Sequence, residues 1–176
     1  MLPAHSRLAI IAALVSPEAK VVVDIGYDHG HLLTHLKETR PELSLIGGEV
    51  LEHAATQFEA TYGQGIADLR VGDGLSVCEP GEVDVVIFAG LMDRTILKLL
   101  SDGRAHLPYL RQVICCPPSL ECHLRPGLAE LGLEISDEAI AFKRHRSYDI
   151  IVSAPAKHVE APHPWGPILI ERRDPR

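Results

Sequence analysis

The apolar positions of the chain fall into two alternating patterns. Val21-Val22-Val23, Leu45-Ile46, Val83 to Phe88, interrupted only by Asp84, and Val113 to Cys116 are short apolar runs, as expected of strands covered on both faces. Between them, apolar residues recur at helical spacing, as in Leu8, Ile11, Ala12 and Val15. The two patterns predict helices over 6–15, 28–39, 51–62, 93–100 and 119–131, and strands over 20–24, 43–48, 67–71, 83–88 and 111–116. Ser6 is placed to cap the first helix, and Ser16-Pro17, Pro41 and Gly63 close helices. Residues 134–143 and 147–154 read as two strands joined at the basic turn Arg144-His145-Arg146, a β-hairpin. Residues 155–166 hold three prolines and read as irregular, with Ile168–Ile170 adding a further short strand.

Strand and helix in alternation, closed by a hairpin, imply an α/β sandwich around a mostly parallel sheet. In such sheets ligands lie at the carboxyl ends of the strands, near the point where strand order reverses. Three turns with an acidic residue fall at those ends: Asp24-Ile25-Gly26, Gly48-Glu49 and Gly72-Asp73-Gly74.

Composition narrows the picture. A chain of 176 residues with 46% hydrophobic residues supports one sizeable core. Its net charge of −7 argues against binding nucleic acid by bulk electrostatics, though a local basic patch remains open to it. Cys78, Cys115, Cys116 and Cys122 lack the spacing of a disulfide framework and read as reduced thiols, which points to the cytoplasm. The apolar stretch Leu8–Val15 runs directly into Ser16-Pro17 and a strand, unlike a secretory signal. No stretch is long enough to cross a bilayer, so no membrane association is expected.

The candidate chemistry centres on the first turn. Glu49 follows Gly26 at about the interval expected between a glycine turn and a ribose-binding acid, and an ionised carboxylate can accept from two ribose hydroxyls. The Gly-x-Gly-x-x-Gly phosphate fingerprint is absent, however, because Asp28 stands at its second glycine. A carboxylate there repels a pyrophosphate and suits a cofactor with ammonium or sulfonium charge, such as S-adenosyl-L-methionine. An NAD-dependent reaction is correspondingly disfavoured.

With these residues, the chain resembles the class I S-adenosylmethionine-dependent methyltransferases, in particular the bacterial tRNA (adenine-22-N1)-methyltransferase family. The resemblance is carried by Arg7-Leu8, Asp24-Ile25-Gly26 with Asp28-His29, Gly48-Glu49-Val50, Gly72-Asp73-Gly74-Leu75, Ala89-Gly90, Pro117, Tyr148-Asp149-Ile150-Ile151-Val152 and Gly166-Pro167-Ile168-Leu169. It implies a Rossmann-like, seven-stranded sheet with the last strand antiparallel. It also implies a cofactor-binding methyltransferase domain over 1–154 and a Pro-rich tail over 155–176. Asp24, Gly26, Asp28 and His29 would surround the methionine part of the cofactor, and Glu49 with Val50 would hold the ribose. Asp73 and Gly74 would meet the adenine, and Ala89 and Gly90 would border the transferable methyl group. A helical extension implicated in tRNA binding would follow the Gly166-Pro167-Ile168-Leu169 segment, whereas this sequence stops at Asp174-Pro175-Arg176.

The chain departs from that pattern on the acceptor side. Leu91-Met92-Asp93 stands where the family resembles Met-Gly-Gly, Cys116-Pro117-Pro118 where it resembles Gln-Pro-Asn, and Tyr27 and His31 replace a small residue and a tyrosine. These changes keep open a different RNA or small-molecule acceptor, or a non-catalytic binding role. Attack by an adenine ring nitrogen needs alignment more than a base, and a carboxylate near the exocyclic amine would stabilise the resulting cation. Asp93 and Asp28 are the candidates, although Asp93 is equally suited to the first turn of its helix. Glu49 as a helix cap and Asp73 as an Asx turn are the corresponding structural readings. No metal is expected: His29, His31 and His35 lack a fourth ligand, and Cys115, Cys116, Cys122 and His123 lack paired knuckles. Lys143, Arg144 and Arg146, with Arg172, Arg173 and Arg176, are the candidate contacts to tRNA or other RNA.

Overall fold

A computed structural model of the chain describes residue 3 and residues 6–119, 123–143, 145–159 and 166–171. Seven strands, β1 (Val21–Ile25), β2 (Ser44–Glu49), β3 (Asp68–Val71), β4 (Val85–Ala89), β5 (Gln112–Cys116), β6 (Leu133–Lys143) and β7 (Arg146–Pro155), form one sheet of order β3-β2-β1-β4-β5-β7-β6. β7 is antiparallel to both neighbours, and the other described pairings are parallel. This is the sheet implied by the sequence, hairpin included.

Among the described residues six α-helices accompany the sheet: α1 (Arg7–Leu14), α2 (His31–Thr39), α3 (His53–Tyr62), α4 (Asp93–Asp102), α5 (Leu124–Glu130) and α6 (Pro167–Glu171). The central strands β1, β4 and β5 are buried along almost their whole length because both of their faces meet a helical layer. On one face Val22, Ile87 and Ile114 pack with Ile11 of α1, Leu33 and Leu36 of α2 and Phe58 of α3. On the other, Val23, Val86 and Val113 pack with Ile96 and Leu100 of α4 and Leu124 and Leu128 of α5. Among the described residues, no helix is long and apolar enough to cross a membrane.

Three differences from the sequence-based expectation exceed two residues or change the type of element. α2 starts at His31 rather than at residue 28, because Asp28 (φ 47°) and Gly30 (φ 69°) adopt the left-handed conformation that a right-handed helix excludes. α5 starts at Leu124, while Ser119 lies in a bend. Pro126 lacks an amide hydrogen and is tolerated only in a first turn, which fixes the start just ahead of it. The strand expected over Ile168–Ile170 is instead part of α6. Pro167 occupies its first position, and the Glu138 carboxylate accepts from Ile168 N–H at 2.9 Å and Leu169 N–H at 3.3 Å, so a distant acid caps the segment as a helix.

Gly30 is fixed by both conformation and space. Besides its positive φ, a Cβ there would collide with the Phe58 ring. Gly30→Ala is therefore expected to cost about 2 to 3 kcal/mol. An unchanged melting temperature for that variant would contradict the tight fit of the loop on α3.

Candidate active site

The sheet order reverses at β1, which sends its connection to β2 on one side and pairs with β4 on the other. Pairing aligns Asp24 with Gly47, Ile25 with Gly48 and Ile25 with Phe88, so the carboxyl ends of β1, β2 and β4 open at one level. Gly26 N–H donates to the Gly48 carbonyl at 2.8 Å, and Gly72 N–H to the Glu49 carbonyl at 3.0 Å. These bonds tie the three acidic turns together.

A cavity of about 440 Å³ lies over this opening. Its wall contains Gly26 and Asp28 after β1, Glu49 and Val50 at the end of β2, Asp73 and Gly74 after β3, and Ala89 and Gly90 at the end of β4. A smaller hollow of about 90 Å³ adjoins it, sharing Arg7, Gly26, Asp28 and Ala89 and adding Asp24 and His29. The ten residues named as cofactor contacts from sequence are thus gathered around two adjoining spaces. Asp93 stands apart. It is 1% exposed, its Oδ1 accepts from Arg94 N–H at 2.7 Å in the first turn of α4, and it lines neither space.

Asp24 is the electrostatic centre. It is 3% exposed, and its Oδ1 has no hydrogen-bond partner among the described residues. Burial pushes its pKa up to about 7, with the Arg7 guanidinium opposing the rise and Glu49 adding to it. A buried, unsatisfied carboxylate at a cavity wall is costly unless a cationic or donor group meets it. Glu49 is oriented by its own neighbour, Oε1 accepting from Val50 N–H at 2.8 Å. Asp28, outermost of the three, carries a largely exposed side chain 3.6 Å from His29.

Gly26 (φ 72°) keeps the floor bare, since a Cβ there would stand 3.3 Å from Cδ2 of Leu91. Leu91 therefore caps the turn from the acceptor side. Tyr27 turns away into the core: it is 5% exposed and packs edge-on against Phe58. His31 is exposed and bonds Tyr62 through Nδ1 at 2.7 Å.

Arg7, Thr95 and Leu99 also line the main cavity, and none of them was singled out as a site residue from sequence. Arg7 alone had a signal, its place in the Arg7-Leu8 motif. Among the described residues, no group of three or more His, Cys, Asp or Glu is arranged to hold a metal. Cys78, Cys115 and Cys116 are free and buried, and burial pushes Cys78 and Cys116 up to about 11, so all three are packed thiols rather than nucleophiles. Cys122, Arg144, Arg172, Arg173 and Arg176 lie outside the described residues.

Strand order, acidic turns and a phosphate-hostile first loop together define a Rossmann-like sandwich of the methyltransferase type. The chain belongs to the methyltransferase domain family, whose model matches residues 4–151. It is 28% identical over 151 residues to the tRNA (adenine(22)-N(1))-methyltransferase of Bacillus subtilis, a match covering 84% of this chain and 63% of that protein's length. Streptococcus pneumoniae Sp1610, solved in complex with S-adenosyl-L-methionine, is 30% identical with a TM-score of 0.85, covering 99% of this chain and 84% of that one. The crystal structure of the B. subtilis M1A22 tRNA methyltransferase superposes with a TM-score of 0.80 at 25% identity, covering 96% of this chain and 76% of that one.

Proposed function

We propose that this chain transfers a methyl group from S-adenosyl-L-methionine to N1 of an adenine in tRNA, position 22 being the site named for its relatives, and that it does so in the cytoplasm. The observation that carries the reading is the buried Asp24 carboxylate, whose Oδ1 has no hydrogen-bond partner among the described residues, beside a glycine turn that lacks a phosphate-binding fingerprint. That pairing suits a cofactor that carries an ammonium group and no phosphate.

The residues present fit such a group. Asp24 offers its unpaired oxygen to the ammonium, and Gly26, Asp28 and His29 wall the methionine end. Glu49, oriented by the Val50 amide, accepts from ribose hydroxyls, and Asp73 with Gly74 borders the adenine. Bound there, the cofactor supplies an electrophilic methyl group on sulfur. Ala89 and Gly90 leave the acceptor side lined by backbone at the end of β4, while Leu91 limits its width. An adenine N1 carries its own lone pair, so the protein's task is to align it within about 3 to 3.5 Å of the methyl carbon. Asp28 is the carboxylate placed to stabilise the cationic product; Asp93, bonded within its own helix turn, is assigned a lesser part. Lys143 and Arg146, exposed on the hairpin, are the proposed phosphate contacts, and residues 1–154 the proposed catalytic domain.

Thermal melting with S-adenosylhomocysteine tests the cofactor: ligand at 100 times its Kd adds about 2.7 kcal/mol of stability. Glu49→Ala is expected to weaken binding about 10-fold, as loss of a charge-assisted hydrogen bond does. No shift with millimolar ligand would overturn the cofactor assignment, and a Glu49→Ala variant that binds normally would remove Glu49 from the ribose.

A further inference from the structure

A second cavity, of about 410 Å³, opens at the tip of the β6–β7 hairpin and is lined by Lys143, His145, Arg146 and Tyr148. Its described lining contains two permanent cations, one imidazole, one aromatic ring and no acid, in a chain whose net charge is −7. Lys143, His145 and Arg146 are exposed, and among the described residues none of them forms an ion pair. Tyr148 is half-buried. The Arg7 guanidinium lies over its ring, 5.3 Å from the centroid. Arg7 itself belongs to the wall of the main cavity, and its Nη1 stands 3.9 Å from where a Cβ on Gly90 would be. One cation–aromatic pair therefore joins the basic cavity to the place assigned to the transferable methyl group.

We propose that this row is a track for a single RNA strand: Lys143, His145 and Arg146 hold backbone phosphates, and the Arg7–Tyr148 pair is the platform on which the acceptor base stacks. The inference rests on the reading of an RNA acceptor given above. Phosphate alone would need only the cations. A splayed-out base needs a planar surface, and RNA readers supply it with aromatic rings and guanidinium planes. Here both surfaces occur in the order a nucleotide presents them, phosphate outside and base inside. An acidic protein partner would use the cations and leave the platform without a role.

The test uses the full chain and a fluorescein-labelled single-stranded RNA of mixed sequence containing adenine, read by anisotropy across a salt series, with S-adenosylhomocysteine binding measured in parallel. Lys143→Ala/Arg146→Ala is expected to weaken RNA binding about 10-fold and to lower the salt slope by about 1 to 1.5, as loss of two single-strand phosphate contacts does. Tyr148→Ala is expected to weaken binding about 10-fold with the salt slope unchanged, and Tyr148→Phe to restore it. S-adenosylhomocysteine affinity stays within twofold in the double variant. RNA affinity unaffected by these changes, or a polyglutamate peptide competing as well as RNA, would overturn the track while cofactor binding stood. Loss of cofactor binding by the unaltered protein would instead defeat the underlying reading.

Discussion

Asp24→Asn is expected to stabilise the folded chain above pH 7 while weakening cofactor binding about 100-fold. Both effects come from one buried carboxylate. Its pKa is raised from 3.8 to about 7 by burial, so between those values the folded state holds a proton that the unfolded state has released. Stability from this group is fully present below about pH 4, falls as pH rises through the window, and is lost above about 7. The ionised form then costs on the order of 4 kcal/mol, which an asparagine, neutral throughout, does not incur. The gain in melting temperature should grow from pH 4 to pH 7 and level off beyond it. Cofactor affinity moves in the opposite sense. The unaltered protein should bind more tightly as pH rises through about 7, because the ammonium is met by a carboxylate, whereas Asp24→Asn should be weak and flat. Calorimetry at pH 6 and pH 8 together with melting curves separates the two. A variant that gains no stability at pH 8, or that binds as well as the unaltered chain, would contradict the role given to Asp24.

Arg125→Ala should be the most destabilising single change in the β5-β7-β6 half of the sheet. The guanidinium is 2% exposed and bridges Glu138 Oε1 at 2.8 Å and Asp149 Oδ2 at 3.0 Å, while Glu138 caps α6 through its other oxygen. Removing the cation leaves one fully buried and one largely buried carboxylate without their bridging charge, at a cost of about 3 to 5 kcal/mol. For a chain of this size that is a fall in melting temperature of roughly 10 °C. Hydrogen exchange should show the amides of Ile168 and Leu169 losing protection first, since their acceptor then lacks the guanidinium that positions it. A melting temperature within 2 °C of the unaltered protein would show that α6 does not depend on this network.

What the sequence revealed follows from where each signal resides. β1, β4 and β5 were legible because strands covered on both faces must be almost wholly apolar, and Val21-Val22-Val23, Val85 to Phe88 and Val113 to Cys116 leave little else to be. The acidic turns were legible because an acid and a glycine at the end of such a run mark the ligand edge of the sheet. The start of α2 was not, since nothing local reveals that Asp28 takes a left-handed conformation. Ile168–Ile170 could be strand or helix by periodicity alone, and the choice is made by a carboxylate about thirty residues earlier in the chain. Arg7 was visible as a motif but not as a site residue. Its position depends on β4 and Tyr148, which approach it only once the whole sheet has formed. The unpaired state of Asp24 likewise appears only when its neighbours are in place.

Methyl transfer to tRNA is tested most directly by incubating the full chain with S-adenosylmethionine carrying a labelled methyl group and unmodified tRNA, then digesting the tRNA and mapping labelled nucleosides by mass spectrometry. The expected result is label in 1-methyladenosine at position 22, lost when that adenine is replaced and reduced in Glu49→Ala. Label in another nucleoside, or none from a protein that binds S-adenosylhomocysteine, would contradict it.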